Sequence, residues 1–126
     1  MNKICTSIEQ SKKLIELGID INTADMHYST WTILNEGEYI LSPNQGETIE
    51  ELQEDYGNQV IPAWSLSALF DILPDDTNII KDKSDTENEK YMCTVGVKGD
   101  IIPTFGKNPV DACYEMILKL HEFKIL

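Results

Sequence analysis

Residues 91–123 read YMCTVGVKGDIIPTFGKNPVDACYEMILKLHEF, and this stretch decides the fold class. Its first seven residues are rich in β-forming side chains, residues 98–100 predict a turn, and residues 101–105 predict a returning strand. Because Pro103 has no N–H to donate, the returning strand is predicted to lie at a sheet edge or to be bulged. A helical pattern follows at once, and a hairpin joined to a helix is typical of an α+β domain.

The sequence contains capping residues that predict where two of the helices begin or end. Asn108 predicts an N-cap with Pro109 at the first helical position of the last helix. Near the N-terminus, Thr6 and Glu9 have the spacing of a capping box, and Gly18 suits the left-handed position that follows a helix. The predicted helices span residues 6–17 and about 109–123.

The middle of the chain predicts a second hairpin and a buried helix. Residues 31–34 and 38–41 predict strands joined by a three-residue loop at 35–37, after an aperiodic polar stretch at 20–30. Residues 61–74 predict a central helix, with Pro62 in its first turn and apolar residues such as Trp64 around most of its circumference.

These elements predict a single α+β domain over residues 1–126, a length that buries about 65% of the unfolded surface. Its small, mostly antiparallel sheet contains the C-terminal hairpin, either alone or with the 31–41 hairpin, and packs against about three main helices. Residues 78–80 predict a short strand, and residues 81–90 a mobile, exposed loop.

The charge is distributed unevenly along the chain. The formal net charge is −12, all ten basic residues are lysines, and residues 14–80 contain thirteen carboxylates but no basic side chain. Nucleic-acid binding depends on neutralising phosphates, so this composition disfavours direct contact with DNA or RNA. An acidic field favours a basic protein partner instead.

The acidic helix predicted over residues 47–56 is the candidate partner-binding surface. Ile49 and Leu52 are predicted to lie on its inner side, which leaves the carboxylates exposed. The candidate residues are Glu47, Glu50, Glu51, Glu54 and Asp55.

No catalytic, cofactor-binding or metal-binding motif is recognised. Cys5, Cys93 and Cys113 form no paired-ligand spacing with each other or with His27 and His121, so buried structural thiols are expected. A Cys–His nucleophile pair needs positive surroundings, which this acidic chain disfavours. No apolar run is long enough to span a membrane, and the few scattered cysteines favour a cytoplasmic location.

Three segments resemble small proteins of gut Bacteroidetes and their prophages and mobile elements, a group to which no activity is assigned. They are CTSIEQSKKLIELGID with TADM (residues 5–26), IPAWSLSALFDILP (61–74) and DACYEMILKLHE (111–122). The resemblance implies a mobile-element origin and transfers no site residue.

The leading hypothesis is therefore a non-enzymatic acidic interaction protein, in its sharpest form a nucleic-acid mimic. Two alternatives remain. One is a small-ligand-binding protein or small enzyme whose pocket is lined by aromatic side chains, and the other is a structural or assembly subunit with an apolar surface near Trp64. The aromatic candidates are Trp31, Tyr39, Trp64 and Tyr91.

Overall fold

The computed structural model describes residues 3–30, 38–56, 60–82 and 90–126, and the α+β class predicted from the sequence is confirmed. The chain divides into two compact units. The N-terminal unit is Cys5–Ala68, and the C-terminal unit is Leu69–Leu126 together with the initial segment that ends at Ile4.

The N-terminal unit contains a three-stranded antiparallel sheet with strand order β2-β1-β3. Its elements are α1 (Ile8–Glu16), a 3₁₀ turn (Ile21–Thr23), β1 (Met26–Thr30), β2 (Tyr39–Pro43), α2 (Ile49–Tyr56) and β3 (Ile61–Ala63). Helix α3 (Leu66–Ile72) follows, and the boundary between the units falls inside it.

The C-terminal unit contains a second three-stranded antiparallel sheet, with order β4-β5-β6, and the long helix α4. Its elements are β4 (Thr77–Asp82), β5 (Lys90–Val97), β6 (Asp100–Gly106) and α4 (Pro109–Glu122). The two predicted hairpins therefore belong to separate sheets.

Helix α1 ends as predicted but is capped one residue later than predicted. Gly18 has φ +90°, and the N–H of Ile19 donates to the carbonyl of Leu14 at 3.1 Å, which completes a Schellman ending. The N-cap is Ser7, whose hydroxyl accepts from the N–H of Gln10 at 3.1 Å while the Gln10 side chain accepts from the N–H of Ser7 at 3.0 Å. The predicted Thr6–Glu9 capping box is therefore wrong.

Thr6 does not cap the helix because its hydroxyl is committed to a buried network. The Thr6 N–H donates to the carbonyl of Trp64 at 2.9 Å, and the Trp64 N–H donates to the Thr6 hydroxyl at 3.1 Å. That hydroxyl also shares a hydrogen bond of 2.8 Å with Ser11. Tyr28 donates its hydroxyl to the Thr6 carbonyl at 2.8 Å, so every backbone and side-chain polar group of Thr6 is paired.

The first part of the predicted central helix is a strand. Residues 61–63 form β3 and pair with β1, with Pro62 opposite His27, and all three are buried. Pro62 is tolerated because β3 is an edge strand, where a missing N–H costs no central ladder bond. Trp64 precedes the helix rather than lying in it, and its indole N–H donates to Thr23 at 2.9 Å.

The other hairpin and the mobile loop are only partly described. β1 and β2 pair antiparallel from Met26 with Pro43 to Thr30 with Tyr39, so the first strand lies in the stretch predicted to be aperiodic. Residues 31–37 lie outside the described residues, and so do residues 83–89 of the predicted mobile loop. The described ends of that predicted loop belong to β4 and β5.

The C-terminal hairpin and helix match the sequence prediction closely. Lys98 and Gly99 form the two-residue turn with φ +50° and +85°, the positive values that a tight hairpin turn of this kind needs. Pro103 lies in β6 at the sheet edge. Asn108 caps α4 by accepting from the N–H of Asp111 at 2.8 Å, and Pro109 occupies the first turn.

Gly106 marks a close approach between the end of β6 and the start of α4. A Cβ at this position would clash with the backbone nitrogen of Ala112 and lie 2.8 Å from the carbonyl carbon of Asp111. At Gly96 in β5 the contact would be less severe, since an added Cβ would lie 3.3 Å from a side-chain carboxylate oxygen of Asp76.

We expect Gly106→Ala to lower the free energy of unfolding by about 2 kcal/mol, because the clash is with backbone that has to move. Gly96→Ala is the matched control and should change it by less than about 1 kcal/mol, since the Asp76 side chain can turn away. Urea unfolding of both variants measures the difference. Equal midpoints for the two variants would contradict the close approach at Gly106.

The burial of Tyr28 should make the free energy of unfolding depend on pH in the alkaline range. Burial raises the pKa of the Tyr28 hydroxyl above its usual value, and the Cys5 thiol 3.6 Å away adds to the shift. Above a pH of about 10 the unfolded chain releases this proton while the folded chain keeps it, so unfolding is favoured as the pH rises.

The stability advantage of wild type over Tyr28→Phe, about 1 kcal/mol for the lost hydrogen bond, should therefore be present below a pH of about 10 and shrink as the pH rises above about 10. Urea unfolding across this range measures it, with Tyr39→Phe at an exposed tyrosine as the control for losing one phenol. A constant gap between wild type and Tyr28→Phe would refute the prediction.

Candidate functional site

The carboxylates predicted to bind a partner are all exposed on or beside α2. Ile49 and Leu52 are buried at 0% and 5% exposure and define the inner side of the helix. At 100° per residue, positions 50, 51 and 54 fall on the opposite side, and position 55 falls on the flank between the two sides. Glu47 precedes the helix and is exposed as well. The structure therefore brings all five predicted residues to the surface of one unit.

One of the five has a structural role. The Thr48 hydroxyl accepts from the N–H of Glu51 at 3.1 Å, and the Glu51 carboxylate accepts from the N–H of Thr48 at 3.3 Å. This capping box satisfies two donors at the start of α2. The side chains of Glu50, Glu54 and Asp55 have no hydrogen bond or ion pair to another described residue.

A polar pocket of about 340 Å³ lies beside α2 within the N-terminal unit. Leu52 of α2 forms part of its wall, and Glu47 carries the one carboxylate among the lining residues. His27 and Ser29 line it from β1, where they lie two residues apart on one face, and Ser42 lines it from its place opposite His27 on β2. The pocket is therefore built on the sheet and extends to the start of the acidic helix.

His27 is held in one orientation within this pocket. It is only 8% exposed, and its Nδ1 lies 2.8 Å from Asn44 Oδ1. Asn44 donates its amide to the carbonyl of Ala24 at 2.9 Å, so its oxygen faces the histidine and Nδ1 carries the proton of that hydrogen bond. In the neutral ring, Nε2 is then an acceptor, and it has no partner among the described residues.

The lip of the pocket is a tight turn with strained backbone. The N–H of Glu47 donates to the carbonyl of Asn44 at 3.1 Å, and the two residues between them have positive φ. Gly46 adopts φ +88° without penalty, whereas Gln45 at φ +53° pays roughly 1 kcal/mol for a side chain in the left-handed region. Strain of this kind is often found beside binding sites.

None of the described aromatic candidates lines the polar pocket. Trp64 is fully buried and is not among the residues that line this pocket. Tyr39 is 43% exposed, Tyr91 lies beneath the Lys81 ammonium at 6.0 Å from the ring centre, and neither lines the polar pocket. Trp31 lies outside the described residues.

The cysteines are buried, as predicted. Cys5, Cys93 and Cys113 are at most 4% exposed and form no disulfide. The hydrogen bond that the Cys113 thiol donates to Cys93, together with burial, raises the pKa of Cys113. Within the described residues, no group of three or more His, Cys, Asp or Glu side chains is arranged to hold a metal ion.

Sequence reasoning considered His27 only as a metal ligand or as part of a Cys–His pair, and it did not predict the pocket that His27 forms with Ser29, Ser42 and Asn44. The available signal was the alternation of residues 26–30, followed by an Asn-Gln-Gly turn after the next strand. That signal does not say which residues face each other, because the register of two strands depends on pairing between distant parts of the chain.

Comparison with protein-family models, with curated proteins and with solved structures gave no significant match. Of the helices that the structure describes, none has the length and apolar character needed to cross a bilayer.

We expect the three thiols to be unreactive in the folded protein. Disulfide exchange with a small aromatic disulfide requires an accessible thiolate, and burial of all three side chains denies the reagent access. Ellman's reagent at pH 8 should titrate fewer than one thiol per folded chain and all three after addition of guanidinium chloride. Rapid modification of one thiol in the folded protein would show that a cysteine is reachable and reopen a nucleophilic role.

Proposed function

We propose that this chain is a non-enzymatic, cytoplasmic interaction protein that binds a basic protein through the exposed carboxylates of α2. Binding to a basic partner requires negative charge near α2, and most of the net negative charge of the chain lies in the unit that contains this helix. Residues 5–68 contain eleven carboxylates and two lysines, a formal charge of −9 out of the total of −12. A field of this strength raises the rate at which a basic partner is encountered.

The observation that carries the proposal is the placement of Glu54 and Asp55. They lie in the last turn of α2, where the helix dipole is negative, and no basic residue is present in that turn. Each such carboxylate is unfavourable there by a few tenths of a kcal/mol. The last turns of α1 and α4 also contain one carboxylate each, but each of those turns contains a basic residue as well.

Ion pairing within the unit does little to reduce this field. In the described part of Cys5–Ala68 the one ion pair joins Lys13 to Glu16 on α1, at 3.9 Å and largely exposed. Such a pair contributes at most about 1 kcal/mol and leaves α2 untouched. Charges that are costly to the helix and left unpaired are those that a partner of opposite charge would satisfy.

The remaining parts of the proposal have separate support. The absence of disulfides among three cysteines agrees with a reducing compartment. A phage or mobile-element origin is supported by the resemblance of residues 5–26, 61–74 and 111–122 alone.

The test is capture of proteins from a lysate of the source organism by immobilised wild type and by the triple variant Glu50→Gln, Glu54→Gln, Asp55→Asn. We expect wild type to retain a basic protein at low salt and release it at about 0.5 M salt, where charges more than a few ångströms apart are screened. The triple variant should retain at least tenfold less, although it should be as stable as wild type or slightly more stable.

The matched control changes the same number of charges in the C-terminal unit: Asp71→Asn, Glu115→Gln and Glu122→Gln, all exposed. It should capture the partner as wild type does. Equal loss of capture in both triple variants would show that capture depends on net charge and not on the α2 surface. Capture by the α2 variant at the wild-type level would refute the proposal.

A further inference from the structure

The pocket beside α2 has features that the acidic surface does not account for. It is a recess of about 340 Å³ whose polar lining comes from two strands, a turn and the residue before the helix. That volume is at the small end of the range of about 300–1,000 Å³ for ligand pockets. It suits a single side chain or a molecule of similar size.

The polar side chains around this recess can all accept hydrogen bonds, and the amide of Gln45 can also donate them. His27 uses Nδ1 to donate to Asn44, so its neutral ring offers Nε2 as an acceptor from a position that is more than nine-tenths buried. The Glu47 carboxylate accepts only, and the hydroxyls of Ser29, Thr30 and Ser42 accept as readily as they donate. A ligand rich in donors matches this set.

The charge of the residues that line the recess also favours a ligand that donates hydrogen bonds, and specifically a cation. Glu47 is its one formally charged lining residue, and no lysine lies anywhere between residues 14 and 80. An anion entering it would meet a carboxylate and the field of α2 without any compensating cation. A cation would gain from both.

We infer that this pocket receives one basic side chain, a lysine ammonium or an arginine guanidinium, from the protein partner. The inference rests on the proposed function and names the anchor by which that partner is held. The acidic face of α2 then attracts the partner over a distance, and the pocket fixes its position by hydrogen bonds to His27, Glu47 and the serine hydroxyls. Leu52 offers apolar surface to the aliphatic stem of the side chain.

Nuclear magnetic resonance tests the pocket separately from the acidic surface. The probes are N-acetyl-lysine methylamide and N-acetyl-arginine methylamide, each with one basic side chain, and N-acetyl-norleucine methylamide, which has the lysine stem without its charge. We expect either cationic probe to produce saturable shifts in the ring nitrogens of His27, the side-chain amide of Asn44 and the backbone amide of Glu47. The norleucine probe should produce none.

Ser42→Val is the decisive variant, because it fills the recess and removes an acceptor while leaving every charge in place. It should weaken binding of the cationic probe at least tenfold, whereas Ile40→Val, at an exposed position on the same strand, should leave it unchanged. Glu47→Gln, at an exposed site, is a second variant that does not depend on core packing and should weaken binding at least threefold.

The outcomes separate this inference from the proposed function. Shifts confined to the amides of α2, equal binding of the norleucine probe, or no saturable shift at all would overturn the pocket while leaving lysate capture to judge the acidic surface. Ser42→Val also enters the capture assay: reduced capture by this variant, whose α2 face is intact, supports the anchor. Capture at the wild-type level overturns it, even if the triple α2 variant fails to capture.

Discussion

The N-terminal unit depends on the pairing of Thr6 with Trp64. Both residues are fully buried, and they exchange two hydrogen bonds between the segment before α1 and the residue after β3, 58 positions further along the chain. A buried polar group without a partner costs about 1–3 kcal/mol, so this network is stable only when all its members are in place. It therefore determines which residue caps α1, where β3 ends and where the indole of Trp64 lies.

The same network fixes the part of the unit that forms the pocket. Tyr28 donates its hydroxyl to the Thr6 carbonyl, which holds β1 in one register. Side chains alternate along a strand, so His27 faces the opposite side from Tyr28 and comes to Asn44. A shift of one residue would exchange these faces, and His27 and Ser29 would no longer point into the pocket.

Stability and charge make opposing demands on α2. Its inner face is well buried and its start is closed by a capping box, yet its last turn contains two carboxylates and no basic residue. The last turns of α1 and α4 also contain a carboxylate, Glu16 and Glu122, but Lys13 and Lys119 lie in the same turns. Of these three helices, α2 alone ends without a basic residue, and it forms one wall of the pocket. This local departure is the feature on which the proposed partner-binding role of α2 is based.

The sequence by itself determined the features that depend on neighbours within a few residues. Gly18 after α1, the Asn108-Pro109 start of α4, the turn at Lys98-Gly99 and the exposed carboxylates of α2 all follow from local dihedral and periodic rules. The tertiary structure alone decided the capping by Ser7, the strand at Ile61–Ala63 and the pocket around His27. The physical reason is that these choices are made by partners far away in the chain: Trp64 engages the Thr6 hydroxyl, β1 pairs with Pro62, and Asn44 orients the imidazole. Hydrogen bonding and burial at that range overrule local propensity, because leaving a buried polar group unpaired costs more than an unfavourable local preference.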